Sequence, residues 1–321
     1  MEQSGAAAPA TVSVVVSAYT EKRWQNLTDC LGSLARQTVP PLEVVVVVDH
    51  NPELLARVGG AFPDVVAHAN QQARGLSGCR NTGWEAAQAE VVAYLDDDAV
   101  AAPDWLERLL AAYRRPDVAG AGGHVEPMWI AGRPDWFPSE FDWVVGCSYR
   151  GQPQHLAPVR NLIGCNMSFR RSVLEELAGF RNGIGRVDGH GRLSGCEETE
   201  FCIRVHQVRP GEDLVYVPEA RVYHSVPPER ARWSYFLGRC YSEGLSKADV
   251  TSWVGRGRLG VELNHSLRVL PAGVGQALRP RHSTDRGGGL ARAGAIIAGF
   301  ALTASGYAVG RVSTPNRVAD G

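Results

Sequence analysis

The feature that most constrains this chain is an apolar run that ends in three consecutive acids. Residues 91–95 read Val-Val-Ala-Tyr-Leu, which predicts a short buried strand, and Asp96, Asp97 and Asp98 follow directly. A strand of this kind delivers its carboxylates to the crevice where open α/β sheets bind their ligands. The alternative is a solvated acidic turn that caps a helix beginning near Pro103.

Three adjacent carboxylates repel one another, so the site that they form needs a counter-charge. A divalent cation that carries a diphosphate would supply it, because hard cations such as Mg2+ and Mn2+ prefer oxygen ligands. Side chains two residues apart in an extended segment point the same way, so Asp96 and Asp98 can share one ion. Asp97 is assigned to the same donor site.

Strand and helix patterns alternate along the first hundred residues. The continuous valine run in 43–49 is typical of a parallel strand that is buried on both faces. The alternation predicts a right-handed parallel sheet with helices on both faces, and hence an α/β fold. The predicted strands are 12–18, 43–49, 65–68 and 91–95, and the predicted helices are 24–37, 52–59 and one that ends near Ala89.

Three strand ends would meet at one edge of this sheet, which is where nucleotides bind in such folds. They are residues 17–21, Asp49 and residues 96–98. An ionised Asp49 only accepts hydrogen bonds, so it suits the N3–H of a uracil. Its alternative role is to cap the helix that follows.

A loop with two glycines and two arginines precedes the third predicted helix. Gly75 and Gly78 permit a close approach of the backbone to a phosphate or a sugar. Arg74 and Arg80 are suited to pairing with diphosphate oxygens, although a loop arginine is more often solvated.

These segments together resemble a family-2 glycosyltransferase of the GT-A fold. The matching pieces are VSVVVSAYTEKR, EVVVVVD, RGLSGCRNTGWEAAQAEVVAYLDDDAV and PDWLERL. The resemblance implies a Rossmann-like nucleotide-binding half joined to an acceptor-binding half around a mixed, largely parallel sheet. One departure is His50-Asn51, where many members carry a second acid and a small residue. The residues that the resemblance assigns to the nucleotide-sugar and its metal are Ser17, Tyr19, Glu21, Asp49, Asp96 and Asp98.

The second half of the chain carries the family's acceptor-side pattern. NLIGCNMSFRR at 161–171 and LEELAGF at 174–180 resemble its acceptor-side strand and short helix, and GCEETEFCIR follows at 195–204. By resemblance Glu198 is the catalytic base, in place of the usual aspartate, and Glu197 is the alternative. Without the resemblance, these acids are explained as a favourable first turn of a helix that runs to about Gln207.

The remaining assignments in the second half of the chain each concern an individual residue or segment. By resemblance, His224 at the end of a strand is the third metal ligand, after predicted strands at 214–217 and 220–225. Arg239 lies in a predicted helix at 230–247 and is a candidate contact to the leaving diphosphate; the alternative is a helix that packs on the core. Prolines indicate a loop or insertion at 129–149. Three residues are assigned to the acceptor side: Trp129, Trp136 and Asn166.

Charge and cysteine content limit the partners and the compartment. The formal net charge of the 321 residues is -1, so nothing in it favours nucleic acid. The seven cysteines are scattered without a CxxC pair, which argues against a disulfide framework or structural zinc and suits a cytoplasmic protein. Three parts are predicted: a disordered lead-in at 1–11, a catalytic domain at 12–250 with halves 12–100 and 101–250, and a helical C-terminal extension at 251–321.

The C-terminal extension contains a mildly apolar segment at 290–309 that Arg292 interrupts. Its length approaches that of a membrane span, but its composition also suits an interfacial helix or a helix packed on the domain or on a second copy. We therefore expect peripheral contact with the inner face of the membrane or a homodimer.

The expected function is inverting transfer of a hexose from a nucleotide-diphosphate sugar, with a UDP-sugar favoured, to an acceptor hydroxyl. The expected cofactor is Mn2+ or Mg2+. The acceptor class stays open among a glycan, a lipid-linked sugar, a peptide and a small metabolite. Two other functions stay open: a sugar-nucleotide pyrophosphorylase, which would want a glycine-rich loop where SAYTEKR stands, and a non-catalytic nucleotide- or sugar-binding protein.

Overall fold

A computed structural model of the chain describes residues 10–182, 195–254, 265–279 and 286–313. Most of the predicted lead-in and the last eight residues lie outside this part of the chain. Contacts between Cα atoms divide the chain into two compact units. The first unit comprises residues 1–125, 154–183 and 201–223, and the second comprises 126–153, 184–200 and 224–321.

The first unit is built on the predicted parallel strands. Strands β1 (Val12–Ala18), β2 (Glu43–Val48), β3 (Val66–Ala69) and β4 (Val91–Asp96) lie in the order β3-β2-β1-β4. All three of these pairings are parallel, and Ser17 of β1 pairs with Asp96 of β4. Val45 to Val48 of β2 are almost wholly buried, as predicted from the continuous valine run, and the valines of β1 are also buried. The helices between the strands are α1 (Trp24–Leu34), α2 (Pro52–Ala61) and α3 (Leu76–Ala86).

Antiparallel strands extend the sheet beyond β4, so the sheet is mixed as predicted. Strand β8 (Asn166–Arg170) pairs antiparallel with both β4 and β6 (Val118–Trp129). The order continues through β6 to β9 (Asp213–Val226) and β5 (Ala99–Ala101), and β7 (Ala157–Pro158) pairs with β9. The prediction of two strands at 214–217 and 220–225 was wrong, because β9 runs without a break through Pro218. The next α-helices along the chain are α4 (Trp105–Ala112), α5 (Arg171–Glu176) and α6 (Glu197–Val208).

The C-terminal helices pack together within the second unit. They are α7 (Trp233–Val254), α8 (Leu270–Ala277) and α9 (Arg286–Ser313). Helices α7 and α9 approach so closely that a Cβ at Gly244 would meet the backbone of residues 303–307, and one at Gly306 would meet Tyr241. One face of α9 therefore packs on α7. The segment predicted as a loop at 129–149 contains a 3-10 helix, Ser139–Val145, whose Phe141 packs beside Phe236 of α7 at a ring distance of 5.4 Å.

Candidate active site

The three acids at the end of β4 lie at the carboxyl edge of the sheet in the first unit. The side chain of Asp96 is 29% exposed, whereas those of Asp97 and Asp98 are almost fully buried. Arg23 contacts both buried acids, with Nη1 at 2.8 Å from Asp97 Oδ1 and 3.1 Å from Asp98 Oδ2. The protein thus supplies part of the counter-charge that the sequence analysis assigned to a cation alone. Burial opposes the charge on Arg23, but Asp98 and Asp97 outweigh that effect and raise its pKa.

Asp97 is the acid least able to carry its charge unaided. Burial and the neighbouring Asp98 raise the pKa of the Asp97 carboxyl to about 7, against the opposing effect of Arg23. Its Oδ2 atom is buried and has no hydrogen-bond partner among the residues that the structure describes. A buried carboxylate oxygen without a partner costs free energy, which a nearby cation would offset. The acids at this edge therefore fit a divalent cation.

Arg80 lies beside the acids and not in an open loop. It is buried on α3, donates to the backbone oxygen of Gly164 at 3.1 Å, and has Nη2 at 3.9 Å from Asp96 Oδ1. Arg23 and Arg80 therefore both lie beside the three acids at this edge. Arg74 is exposed, and no hydrogen bond or ion pair of its side chain occurs within the described part of the chain.

Asp49 organises the loop that leads into α3. Its Oδ1 accepts from Asn70 Nδ2 at 2.7 Å, and its Oδ2 accepts from the backbone N–H of Gly75 at 3.0 Å. Gly75 has a φ of +118°, which favours glycine. Capping of the following helix falls to Asn51, which accepts from Leu54, so the alternative role for Asp49 was wrong.

The space at Gly78 serves the fold. A Cβ at this position would meet the backbone oxygen of Ala73, so the expected close approach is to the protein's own loop. The loop before α3 is therefore held both by its own close packing at Gly78 and by hydrogen bonds to the Asp49 carboxylate.

The loop after β1 carries the other predicted donor residues. Ser17 is half-buried at the end of β1, directly opposite Asp96. Tyr19 is 36% exposed, and the guanidinium of Arg23 lies over its ring at 5.2 Å from the centroid. Glu21 pairs instead with Arg57 of α2 at 2.6 Å. These contacts fix the loop and leave the Tyr19 ring accessible.

Replacing Arg23 by methionine should destabilise the first unit by about 2–4 kcal/mol, because two buried acids lose their shared partner. The partly exposed pair of Arg57 and Glu21 provides the control, and Arg57→Met should cost less than about 1 kcal/mol. Urea unfolding of the three proteins measures both. A cost no larger for Arg23→Met than for Arg57→Met would show that Arg23 does not neutralise the acids.

His224 is a buried residue of the second unit near the end of β9. Its Nδ1 lies 3.8 Å from Cys147 Sγ. Gly146, with a φ of +83°, ends the adjacent 3-10 helix, and a Cβ there would lie 3.9 Å from His224 Nε2. The close backbone and the thiol hold the ring in place.

The acidic segment of the second unit begins helix α6, as predicted. Glu197 and Glu200 are buried, whereas Glu198 is partly exposed. Cys196, just before the helix, has a φ of +77°, which is unusual for a residue with a side chain. Glu198 is therefore the acid of the three that is most open to a substrate.

Helix α7 contributes a second charged group to this segment. Arg239 is buried and pairs with Glu243 at 3.4 Å, and Glu243 also accepts from Cys196 Sγ at 3.5 Å. The guanidinium of Arg239 lies 3.7 Å from the Cβ position of Gly195. Arg239 thus belongs to the group around the start of α6, and burial raises the pKa of the Cys196 thiol, as do Glu243 and Glu198.

The two tryptophans assigned to the acceptor side belong to an aromatic cluster of the second unit. Trp136 contacts Trp233 at a ring distance of 4.6 Å and Phe137 at 5.3 Å. Trp129 contacts Phe137 at 4.9 Å. The cluster packs the segment before the 3-10 helix against α7, so its rings have a packing role.

Asn166 cannot contact an acceptor, and that prediction was wrong. Its side chain is fully buried in the first unit. Oδ1 accepts from Trp105 Nε1 at 2.8 Å, and Nδ2 donates to the backbone oxygens of His124 and Ala220 at 3.0 and 2.9 Å. It joins three segments of the sheet to α4, since a buried amide needs such partners.

Two charged residues of these groups were missed by the sequence analysis. Arg23 lies two residues beyond the segment 17–21, which was placed at the same sheet edge as the acids 96–98, and this closeness along the chain was the available signal. Glu243 stands four residues from both Arg239 and Lys247, a helical spacing that brings opposite charges together.

A model of the family described as glycosyl transferase family 2 matches residues 13–178. Glucosyl-dolichyl phosphate glucuronosyltransferase of Haloferax volcanii is 41% identical over 241 residues, which make up 74% of this chain and 76% of the relative. Succinoglycan biosynthesis protein ExoM of Rhizobium meliloti is 28% identical over 267 residues, covering 80% of this chain and 78% of the relative.

Among solved structures, the mannosyltransferase PcManGT from Pyrobaculum calidifontis, in complex with GDP-Man and Mn2+, matches with a TM-score of 0.58 at 18% identity. The match covers 96% of this chain and 87% of that structure. At this level of identity the likeness concerns the fold, and it confirms the predicted GT-A architecture.

Proposed function

Because the chain belongs to glycosyl transferase family 2, we propose that it transfers a sugar from a nucleotide-diphosphate sugar to an acceptor hydroxyl, with inversion. Glycosyl transfer itself follows from the family and from the 41% identical relative. The same matches favour it over the pyrophosphorylase and the non-catalytic binding protein. The observation that carries the finer proposal is the acidic edge of β4, with three carboxylates against two arginines.

The donor diphosphate is proposed to bind at this edge through Mn2+ or Mg2+. Asp96, Asp98 and His224 can each offer one ligand atom. Ala102 donates to the backbone oxygen of Arg221 at 3.0 Å, so β9 runs beside the segment that follows the acids. His224 stands three residues after Arg221 on β9, which corresponds to about 10 Å between the Cα atoms of these two residues. A bound ion would stabilise the diphosphate as a leaving group.

Chain residues have distinct roles in the proposed transfer. Tyr19 offers an exposed ring for the base of the nucleotide, while Asp49 holds the loop that supports it. Arg239 is proposed to balance charge on the departing diphosphate. Glu198 is proposed to take the proton from the acceptor hydroxyl, since it is the partly exposed acid at the start of α6. Attack from the face opposite the leaving group inverts the anomeric centre.

The proposed acceptor is a sugar linked to a lipid phosphate. The support is the Haloferax volcanii relative, whose name specifies glucosyl-dolichyl phosphate. A UDP-sugar is the first candidate for the donor. The GDP-Man in the Pyrobaculum calidifontis structure makes GDP-sugars the necessary comparison.

The exposed face of α9 is proposed to lie on an anionic membrane surface. Residues 288–313 are long and apolar enough to cross a membrane. The most apolar stretch of 18 residues has a mean hydropathy of 1.5, and 33% of that stretch is buried. Helix α7, which packs on α9, carries Glu243, Lys247 and Asp249. If α9 crossed a membrane, these charged side chains would be placed in or near the lipid. Helix α9 contains arginines and no acidic residue, and α8 contains no charged residue. Contact of α9 with the surface of an anionic membrane is consistent with both its apolar exposed face and its positive charge.

Substituting serine at both Ile297 and Phe300 should reduce binding to phosphatidylglycerol vesicles by at least about tenfold, because two exposed apolar side chains of α9 are lost. Leu156→Ser, at an exposed leucine of the first unit, is the matched control and should bind as the parent protein does. Vesicle flotation measures the bound fraction. Equal flotation of all three proteins would remove α9 from the membrane surface.

The experiment that tests the donor proposal is thermal unfolding with UDP-, GDP- and dTDP-sugars, each with Mn2+ and with EDTA. A ligand that binds only the folded chain raises the melting temperature according to its affinity. We expect a rise with one nucleotide class that EDTA abolishes. A rise of the same size in EDTA would exclude the proposed metal, and no rise with any of these sugars would exclude the donor site.

A further inference from the structure

The turn that follows β2 carries a histidine that is held at the edge where the donor base is proposed to bind. The side chain of His50 is 39% exposed, and its Nδ1 lies 2.8 Å from Asp49 Oδ1. His50 has a φ of +50°, in the left-handed region that histidine and asparagine enter more readily than most residues. Its neighbour Asn51 donates to the backbone oxygen of Tyr19 at 3.2 Å and caps α2. The residues on both sides of His50 therefore fix this turn.

Hydrogen bonds to Asp49 already use the acceptor positions of its carboxylate. Oδ1 contacts Asn70 as well as His50, and Oδ2 accepts from the backbone N–H of Gly75. The Cys79 thiol also hydrogen-bonds to this carboxylate. Because an ionised carboxylate offers about four acceptor positions, the N–H of a base could reach Asp49 only by displacing one of these donors.

The contact with Asp49 also decides which nitrogen of His50 is open to a ligand. A neutral imidazole has one N–H donor and one acceptor nitrogen. Because an ionised carboxylate only accepts hydrogen bonds, Nδ1 of His50 carries the hydrogen toward Asp49, and Nε2 is left as the acceptor. Among the residues that the structure describes, the contact with Asp49 is the one hydrogen bond of this ring. His50 thus presents an oriented acceptor at a partly exposed position.

Strand order places His50 two strands away from the acids at the end of β4. Strand β1 lies between β4 and β2, and neighbouring strands are about 4.8 Å apart, so the ends of β4 and β2 are about 10 Å apart. The backbone N–H of Asp49 donates to Ala18 at 2.8 Å, which keeps the ends of β1 and β2 together. With a diphosphate at β4, the ribose would lie over β1, where Tyr19 exposes its ring, and the base would meet the end of β2.

We propose that Nε2 of His50 accepts the ring N–H of the donor base, which is N3–H in uracil and thymine and N1–H in guanine. Cytosine and adenine have no hydrogen on the corresponding ring nitrogen, so His50 selects against CDP- and ADP-sugars. This inference rests on the proposed glycosyl transfer and deepens it, because it assigns the choice of donor base to one residue. Asp49 sets the tautomer and the orientation of the imidazole.

The test compares UDP with N3-methyl-UDP and GDP with N1-methyl-GDP, because methylation removes the ring N–H. Calorimetry is done with Mn2+ at about pH 8, where an ordinary histidine is neutral. The parent protein should bind the unmethylated member of one pair more tightly. His50→Asn tolerates the left-handed backbone and keeps an amide donor for Asp49, but it has no nitrogen at the position of Nε2. It should bind that diphosphate roughly 2- to 12-fold more weakly, the effect of one neutral hydrogen bond, and its preference over the methylated analogue should fall by a similar factor.

His155→Asn is the matched control, because His155 is an exposed histidine of the same unit just before β7, which pairs with β9. It should keep the affinities of the parent for all four probes. His50→Gln should retain part of the preference, since its amide oxygen can reach the position of Nε2. The two members of a pair share the diphosphate and the ribose, so a merely structural role of His50 would weaken both equally.

An unchanged preference for the unmethylated diphosphate in His50→Asn would overturn the proposal and leave recognition of the base to Asp49. Equal affinity of the parent for both members of each pair would also overturn it, while the donor site of the proposed function would stand. If the parent bound none of the four diphosphates, the proposed donor site would fail together with this inference. The failure of the inference alone can therefore be distinguished from the failure of the proposed function.

Discussion

Glu198→Gln is expected to lower the rate of sugar transfer by about 10²–10⁴-fold while donor binding stays intact. The amide keeps the size of the side chain but cannot take a proton from the acceptor hydroxyl. Glu198 is the partly exposed acid in the first turn of α6, so it is the one that a substrate can reach. Transfer is measured with the donor identified by thermal unfolding, and donor affinity is measured in the same preparation.

Glu197→Gln is the matched control, because it makes the same change one residue away on the same helix. Glu197 is only 5% exposed, so the variant should transfer sugar within a few-fold of the parent rate. A reversed result, with transfer lost in Glu197→Gln and kept in Glu198→Gln, would assign the base to Glu197. Loss of donor affinity in Glu198→Gln would contradict a role confined to the acceptor.

The parallel part of the sheet could be predicted from the sequence because its signals are local. Buried parallel strands need continuous apolar runs, and β1, β2 and β4 begin within a residue or two of where those runs begin. The acids after β4 were placed at the sheet edge by the same local rule. The start of α6 at Glu197 also followed from its sequence pattern.

Partner choice across the chain could not be predicted in the same way. Asp49 was assigned to a nucleotide base, and in the structure its oxygens also accept from Asn70 and Gly75, more than twenty residues away. Asn166 was assigned to an acceptor because its motif resembles the family's acceptor-side strand, and burial at the junction of three segments was not visible in that motif. Such contacts are made by tertiary structure, which periodicity does not encode.

The two compact units also show what a linear division of the chain misses. The sequence suggested consecutive halves at 12–100 and 101–250, whereas each observed unit is assembled from three separate stretches. Three of the five boundaries fall within β6, α6 and β9, each a single element in the structure. Strands that cross a boundary carry no signal of it, because their apolar pattern continues.

Asp98→Asn is expected to weaken metal-dependent donor binding by at least about 100-fold, more than the loss of a residue that only supports a ligand. The amide keeps the shape of the side chain but removes an anionic oxygen from the proposed ion. Arg23 retains its contact with Asp97 at 2.8 Å, so the edge of the sheet keeps an ion pair. Removing one of three adjacent acids also relieves repulsion, so the metal-free variant should melt no lower than the parent.

Asp104→Asn is the matched control, because Asp104 is an exposed acid of the same unit that pairs with Arg108 at 2.9 Å. It should keep the full rise in melting temperature that nucleotide-sugar and Mn2+ give the parent. A full rise in Asp98→Asn as well would exclude Asp98 from the metal site. The comparison is decisive because repulsion and coordination act in opposite directions: losing the acid stabilises the free protein and destabilises the complex, whereas an acid with only a structural role would shift both in the same direction.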